Sequence, residues 1–181
     1  MSRISDYEAD DTASFLRGCA FEANAHRALL GRKGQRFLRE LEAALLAMPK
    51  KRLITGRLAK TAFDGVELHG EVCALGAVAL HRQVVAGTPR PIAMQELALS
   101  SQPDDEDDES GDGWEMIGMA ADVLGIVKPL AWTVVCANDE CARADTPEKL
   151  WEYMLKWCRA RIRPMAGWLT FPAPFEKDWR L

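Results

Sequence analysis

Val72-Cys73-Ala74-Leu75-Gly76-Ala77-Val78-Ala79-Leu80 carries no charged side chain, and five of its nine positions are alanine, glycine or cysteine. Small residues let neighbouring backbones approach closely, and an apolar surface on every side has to be covered, so the run predicts a helix at the centre of the fold. Its start is expected near Gly70, which places Cys73 in the first turn.

On the N-terminal side, Phe37, Leu38, Leu41, Ala44, Leu45 and Met48 recur at steps of three and four until Pro49, the pattern of an amphipathic helix and its stop. Before it, Asp11-Thr12 offers a cap for a helix over 13–30, and Gly31-Arg32-Lys33-Gly34 separates the two. Between Pro49 and Gly70 the periodicity is weak, and a short helix over 53–59 followed by a loop is expected. On the C-terminal side, 87–91 reads as a turn, 92–99 as a short helix, and 103–113 as a flexible acidic loop with too few apolar groups to pack. Helices are expected over 114–124 and 129–137, with a buried strand as the alternative for the second because of Thr133-Val134-Val135. Thr146-Pro147 caps a last helix whose buried stripe is Leu150, Trp151, Met154, Leu155, Cys158 and Ile162, and Pro164 ends it. The tail from 164 to 181 interleaves Trp168, Phe171, Phe175 and Trp179 with Pro172 and Pro174, so it is extended and carries aromatic surface that should dock on something.

The fold class is therefore mainly α: a single compact, multi-helix, bundle-like domain over 1–181 with a buried central helix, a flexible acidic loop and an extended aromatic C-terminal tail. Its 181 residues, 48% of them hydrophobic, suffice for one core. No apolar run approaches the roughly 18–20 residues that span a bilayer, and the acidic N-terminus is unlike a signal peptide. Five cysteines without regular spacing fit a reducing compartment. A cytoplasmic protein without a membrane partner is expected, in the host cytosol if a phage encodes it.

Charge is distributed unevenly. From Arg27 to Lys60 the chain carries Arg32, Lys33, Arg36, Arg39, Lys50, Lys51, Arg52 and Arg57 besides its two ends, against only Glu40 and Glu42. From Glu96 to Asp122 it carries ten carboxylates, Asp104, Asp105, Asp107 and Asp108 among them, and no Lys or Arg. The net charge of −4 hides two segments that each create a local field. The arginines at helical spacing offer a face for phosphate, and the acidic loop can occupy a basic groove on another protein.

A catalytic alternative rests on Cys73. A helix N-terminus and a protonated His69 would stabilise its thiolate, with Asn138 or Asp139 orienting the base. The structural alternative is a small core residue at 73 and a helix end at 138–139. Cys136 and Cys141 are too far apart for a metal knuckle, and His26, His69 and His81 have no ligand spacing, so no metal is expected. The common nucleotide and hydrolase signatures are missing, and no cofactor is expected.

Gly34-Gln35-Arg36-Phe37-Leu38-Arg39-Glu40-Leu41-Glu42-Ala43-Ala44-Leu45, Glu71-Val72-Cys73-Ala74-Leu75-Gly76-Ala77 with the preceding Gly70, and Ala137-Asn138-Asp139-Glu140 with Thr146-Pro147-Glu148 resemble segments of an uncharacterised group of small helical proteins of bacteria and their phages. The resemblance covers about the middle two-thirds of the chain, and it implies mobile-element company without an activity. The leading expectation is a non-enzymatic phage or mobile-element accessory protein in a host-interference or regulatory role. It would bind a macromolecule, most readily a protein and alternatively a nucleic acid, through the basic face or the acidic loop. The cysteine enzyme is one alternative. The other is a self-assembling structural protein in which the tail makes a homo-oligomer.

Overall fold

The structure, a computed structural model, describes residues 5–63, 68–100, 113–139 and 145–164, with side chains over 18–61, 70–100, 116–139 and 145–164. Seven helices and one antiparallel hairpin run in the order α1 (Ser5–Leu30), α2 (Arg32–Ala47), β1 (Ala59–Phe63), β2 (Leu68–Val72), α3 (Ala74–Val85), α4 (Arg90–Ser100), α5 (Gly113–Leu124), α6 (Lys128–Asp139) and α7 (Pro147–Arg159) among the described residues. The expected mainly helical class holds. The acidic residues Asp104, Asp105, Asp107 and Asp108 and the aromatic tail from 165 onward lie outside the described residues.

α3 is the central helix. Every residue from Ala74 to Leu80 is buried, and the helix packs against α2, α4, α5 and α6. Gly76 explains how closely its surroundings approach: a Cβ there would stand 1.9 Å from the Leu58 carbonyl oxygen. α2 buries Phe37, Leu38, Leu41, Ala44 and Leu45 along one stripe, and α7 lies antiparallel beside it. At the other end of α2, Gly34 passes so near α1 that a Cβ would meet the Ala28 carbonyl oxygen at 1.9 Å. α7 begins as its sequence predicts, with Thr146 as the cap accepting from the Lys149 N–H and Pro147 in the first turn. The stretch with a helix-or-strand alternative is helix, because α6 presents Leu130, Ala131 and Val134 together to the core at helical spacing.

Two local expectations are corrected. Residues 53–59 are not a helix. Gly56 takes a left-handed φ of 73°, and the backbone bonds sideways, Leu53 N–H to the Pro147 carbonyl and Ile54 N–H to the Val72 carbonyl. Leu53, Leu58 and Ala59 are buried at steps of five and one, which make no helical stripe, and tertiary pairing decides the conformation. The second correction is Gly70, which is not a helix start. It sits in β2 opposite Thr61, where its missing Cβ makes room for Met94. Asp64-Gly65 between two short runs of alternating residues is the hairpin signal that marks this region in the sequence.

An ion pair locks the layers. Arg82 on α3 holds Glu40 of α2 through two bonds of 2.5 and 2.8 Å and donates to the Leu124 carbonyl at the end of α5. The Arg82 hydrogen bond keeps Glu40 below its ordinary carboxylate pKa. Among the described residues no helix is long and apolar enough to cross a membrane.

Gly76→Ala is expected to lower stability by at least about 2 kcal/mol in urea titrations, because neither the Leu58 backbone nor α3 can move without opening the core.

Candidate functional site

Cys73 is the N-cap of α3 rather than a member of its first turn. Its extended backbone lets Sγ accept from the Gly76 N–H at 3.4 Å. The next free amide of the helix end, Ala74 N–H, is taken by Asn138 Oδ1 at 3.2 Å. The other side of the Asn138 amide donates to the Ile54 carbonyl at 2.8 Å and to Asp139 Oδ1 at 2.7 Å. Asp139 in turn accepts from the Gly56 N–H at 3.4 Å. Asn138, 2% exposed, thus joins the end of α6, the start of α3 and the strand-like entry to the hairpin. A cavity of about 10 Å³ lies between Cys73, Met116, Asn138 and Asp139, room for about one water.

The structure brings Cys73, Asn138 and Asp139 together. His69 stands in β2 opposite Ala62, and its side chain is outside the described ones. Burial pushes the Cys73 thiol up to about 11, with the Asp139 carboxylate adding to the rise. At neutral pH this is a protonated thiol that serves as a hydrogen-bond acceptor. Cys158 behaves alike: it is buried, pushed up to about 12 mainly by desolvation, and donates to the Leu38 carbonyl at 2.9 Å. No group of three His, Cys, Asp or Glu side chains suited to a metal occurs among the described residues.

The basic residues divide into two clusters at opposite ends of α2, whose 16 residues span about 24 Å. At the N-terminal end Arg32, Lys33 and Arg36 are exposed, and Arg39 is half-buried. Gln35 explains what joins them. Its side chain is 1% exposed and donates to the Leu29 and Arg161 carbonyls, both at 2.9 Å, while its Oε1 accepts from the Arg163 N–H at 2.7 Å. Arg39 donates to the Arg163 carbonyl at 2.8 Å. The chain leaving α7 is therefore pinned across the first turns of α2, and Arg161 and Arg163, both exposed, join the cluster. Arg161 lies over the Trp157 ring, 4.3 Å from its centroid. The two carboxylates of α2 are already engaged, Glu40 by Arg82 and Glu42 by Arg159 at 2.7 Å.

At the C-terminal end of α2, Lys51 bonds to the Leu45 and Leu46 carbonyls and sits over Trp151, so it serves as a helix cap. Arg52 lies 2.9 Å from Glu148 and 3.5 Å from Glu71, an ionic contact in which its Nε lacks hydrogen-bond alignment. Arg57 and Lys60 are exposed and line an open groove with Thr55, Asp145 and Thr146. Lys50 is exposed and lines one cavity with Arg90 of α4.

Sequence reading found the α2 arginines and missed Gln35, Arg161, Arg163 and Arg90. The only signal for Arg161 and Arg163 was the alternation Arg159, Arg161, Arg163 just before Pro164, which does not say where that segment lands. The chain matches no protein-family model, no curated protein and no solved structure. The residues themselves carry the functional reading.

Asn138→Ala leaves the Ala74 N–H and the Ile54 carbonyl without this partner in the core. It is expected to cost about 2–3 kcal/mol in denaturant titrations. In the native protein, iodoacetamide at pH 8 should label exposed Cys19 readily and spare Cys73 and Cys158, as peptide mapping will check. The two buried thiols hold their protons to about 11 and 12, against 9.0 for ordinary ones. The stability they contribute is intact below pH 9 and is lost as the pH rises through their folded values, so melts should weaken progressively above that point.

Proposed function

We propose that this chain is a non-enzymatic accessory protein that holds an anionic macromolecule on the basic cluster at the start of α2, with a nucleic-acid phosphate backbone as the partner chemistry. One observation carries this reading: Gln35 and Arg39 pin the backbone of Arg161 and Arg163 across the first turns of α2, which also carry exposed Lys33 and Arg36, while the two α2 carboxylates are engaged by Arg82 and Arg159. Guanidinium groups fit phosphate oxygens bidentately, and several of them within reach of one strand give affinity through counterion release. A rigid platform strengthens the case, since a backbone held by a buried glutamine presents its side chains without having to order them first.

The resemblance to helical proteins of bacteria and their phages supplies the setting, a mobile-element product that acts in the host cytoplasm in an interfering or regulatory role. The thiol-enzyme reading has less support. A nucleophile must ionise and meet its substrate, and Cys73 is protonated and buried as the cap of α3.

Fluorescence anisotropy with labelled single-stranded and duplex DNA and RNA tests the proposal. The wild-type protein should bind at low salt and weaken linearly in log–log plots as salt rises. Arg36→Glu with Arg163→Glu should reduce affinity at least about tenfold with an unchanged circular dichroism spectrum. Absence of salt-dependent binding to all four probes would refute it.

A further inference from the structure

A second feature lies at the opposite end of α2. A cavity of about 170 Å³ opens between the α2 exit, β2 and the start of α4, with Met48 and Met94 as apolar walls and Lys50, Arg52 and Arg90 as cations. Its one lining carboxylate, Glu71, faces Arg52 at 3.5 Å. Arg90 is half-buried and, among the described residues, has neither a hydrogen bond nor an ion pair. Its position supplies no counter-charge. It opens α4, whose first turn carries no carboxylate, and the N-terminal end of a helix already bears partial positive charge. Desolvation accordingly pulls its pKa down. A guanidinium kept there without a counter-charge among the described residues leaves a place for an anion supplied from outside.

The lining is divided by chemistry. Lys50 and Arg90 can hold an oxyanion from two sides, and the thioethers of Met48 and Met94 are soft surfaces that accept a flat apolar group. Gly70 sets the floor, because the space of its missing Cβ is taken by the Met94 side chain, which packs 2.3 Å from where that atom would stand. The volume is below the roughly 300–1,000 Å³ of sites for drug-sized ligands, so the occupant is small.

We infer that this cavity is a binding site for a small phosphomonoester, its phosphate held between Lys50 and Arg90 and its apolar body seated on Met48 and Met94. The site is distinct from the macromolecule surface at the start of α2 and does not depend on it.

Titration of the full-length ¹⁵N-labelled protein with phenyl phosphate, inorganic phosphate and phenol provides the test. Phenyl phosphate should saturably shift the amides of Lys50, Glu71, Arg90 and Met94. Inorganic phosphate should shift the same amides at higher concentration, and phenol should not saturate. Arg90→Gln should weaken phenyl phosphate at least about tenfold with the rest of the spectrum retained. Lys50→Gln, at an exposed position, should weaken it in the same direction. The Arg36→Glu and Arg163→Glu pair should leave it unchanged, which separates this site from the macromolecule surface. No saturable shift, equal affinity in Arg90→Gln, or phenol binding as tightly as phenyl phosphate would overturn the assignment. Inorganic phosphate binding as tightly as phenyl phosphate would do so too, because the apolar seat would then contribute nothing.

Discussion

The buried amide of Asn138 is the constraint around which the rest is arranged. A central helix made of Ala, Leu, Gly and Val has no side chain of its own to satisfy its first amides, apart from the sulfur of Cys73. One amide from α6 supplies the missing acceptor and spends its two donors on the Ile54 carbonyl and Asp139. This fixes the end of α6, the start of α3 and the approach to the hairpin relative to one another. The apolar contacts give most of the free energy of burial, and they are non-directional, so the polar junction selects one of the arrangements they would allow.

What the sequence made legible follows from local physics. The central helix, the amphipathic α2 and the capped α7 were all readable because periodicity and capping act within a few residues. The hairpin was not read, since the stretch from Leu53 to Ala59 has only weak periodicity and its conformation is set by partners such as Pro147 and Val72, remote in the chain. Asn138 was read as a helix end, and it is one. Its second role as acceptor for another helix depends on a contact 64 residues away and leaves no local trace.

Charge shows the same limit from the other side. The run from Arg32 to Arg57 is one segment in the sequence, yet a helix of α2's length carries its two ends to opposite sides of a small protein. The fold then assigns different tasks to similar residues. Lys51 closes a helix, Arg82 ties α2 to α3 and α5, Arg52 answers Glu71 and Glu148, and Arg36, Arg163 and Arg90 are left facing solvent or a cavity. Counting cations identifies a basic protein segment. Only their neighbours identify which cations are available to a ligand.

The Gln35 clamp has a consequence for the order in which the molecule is made. Its partners at Arg161 and Arg163 lie 126 and 128 residues further along, so during synthesis α2 leaves the ribosome with a polar group destined for the interior and only the Leu29 carbonyl of its final partners in place. Helix α2 can form early, but its first turns cannot settle into their final surroundings until α7 has emerged. The basic cluster that depends on this contact is therefore completed late, and a nascent or truncated chain lacking residue 163 would display only half of it. A protein that completes its basic cluster last presents only part of that cluster to the ribosomal RNA beside which it is born.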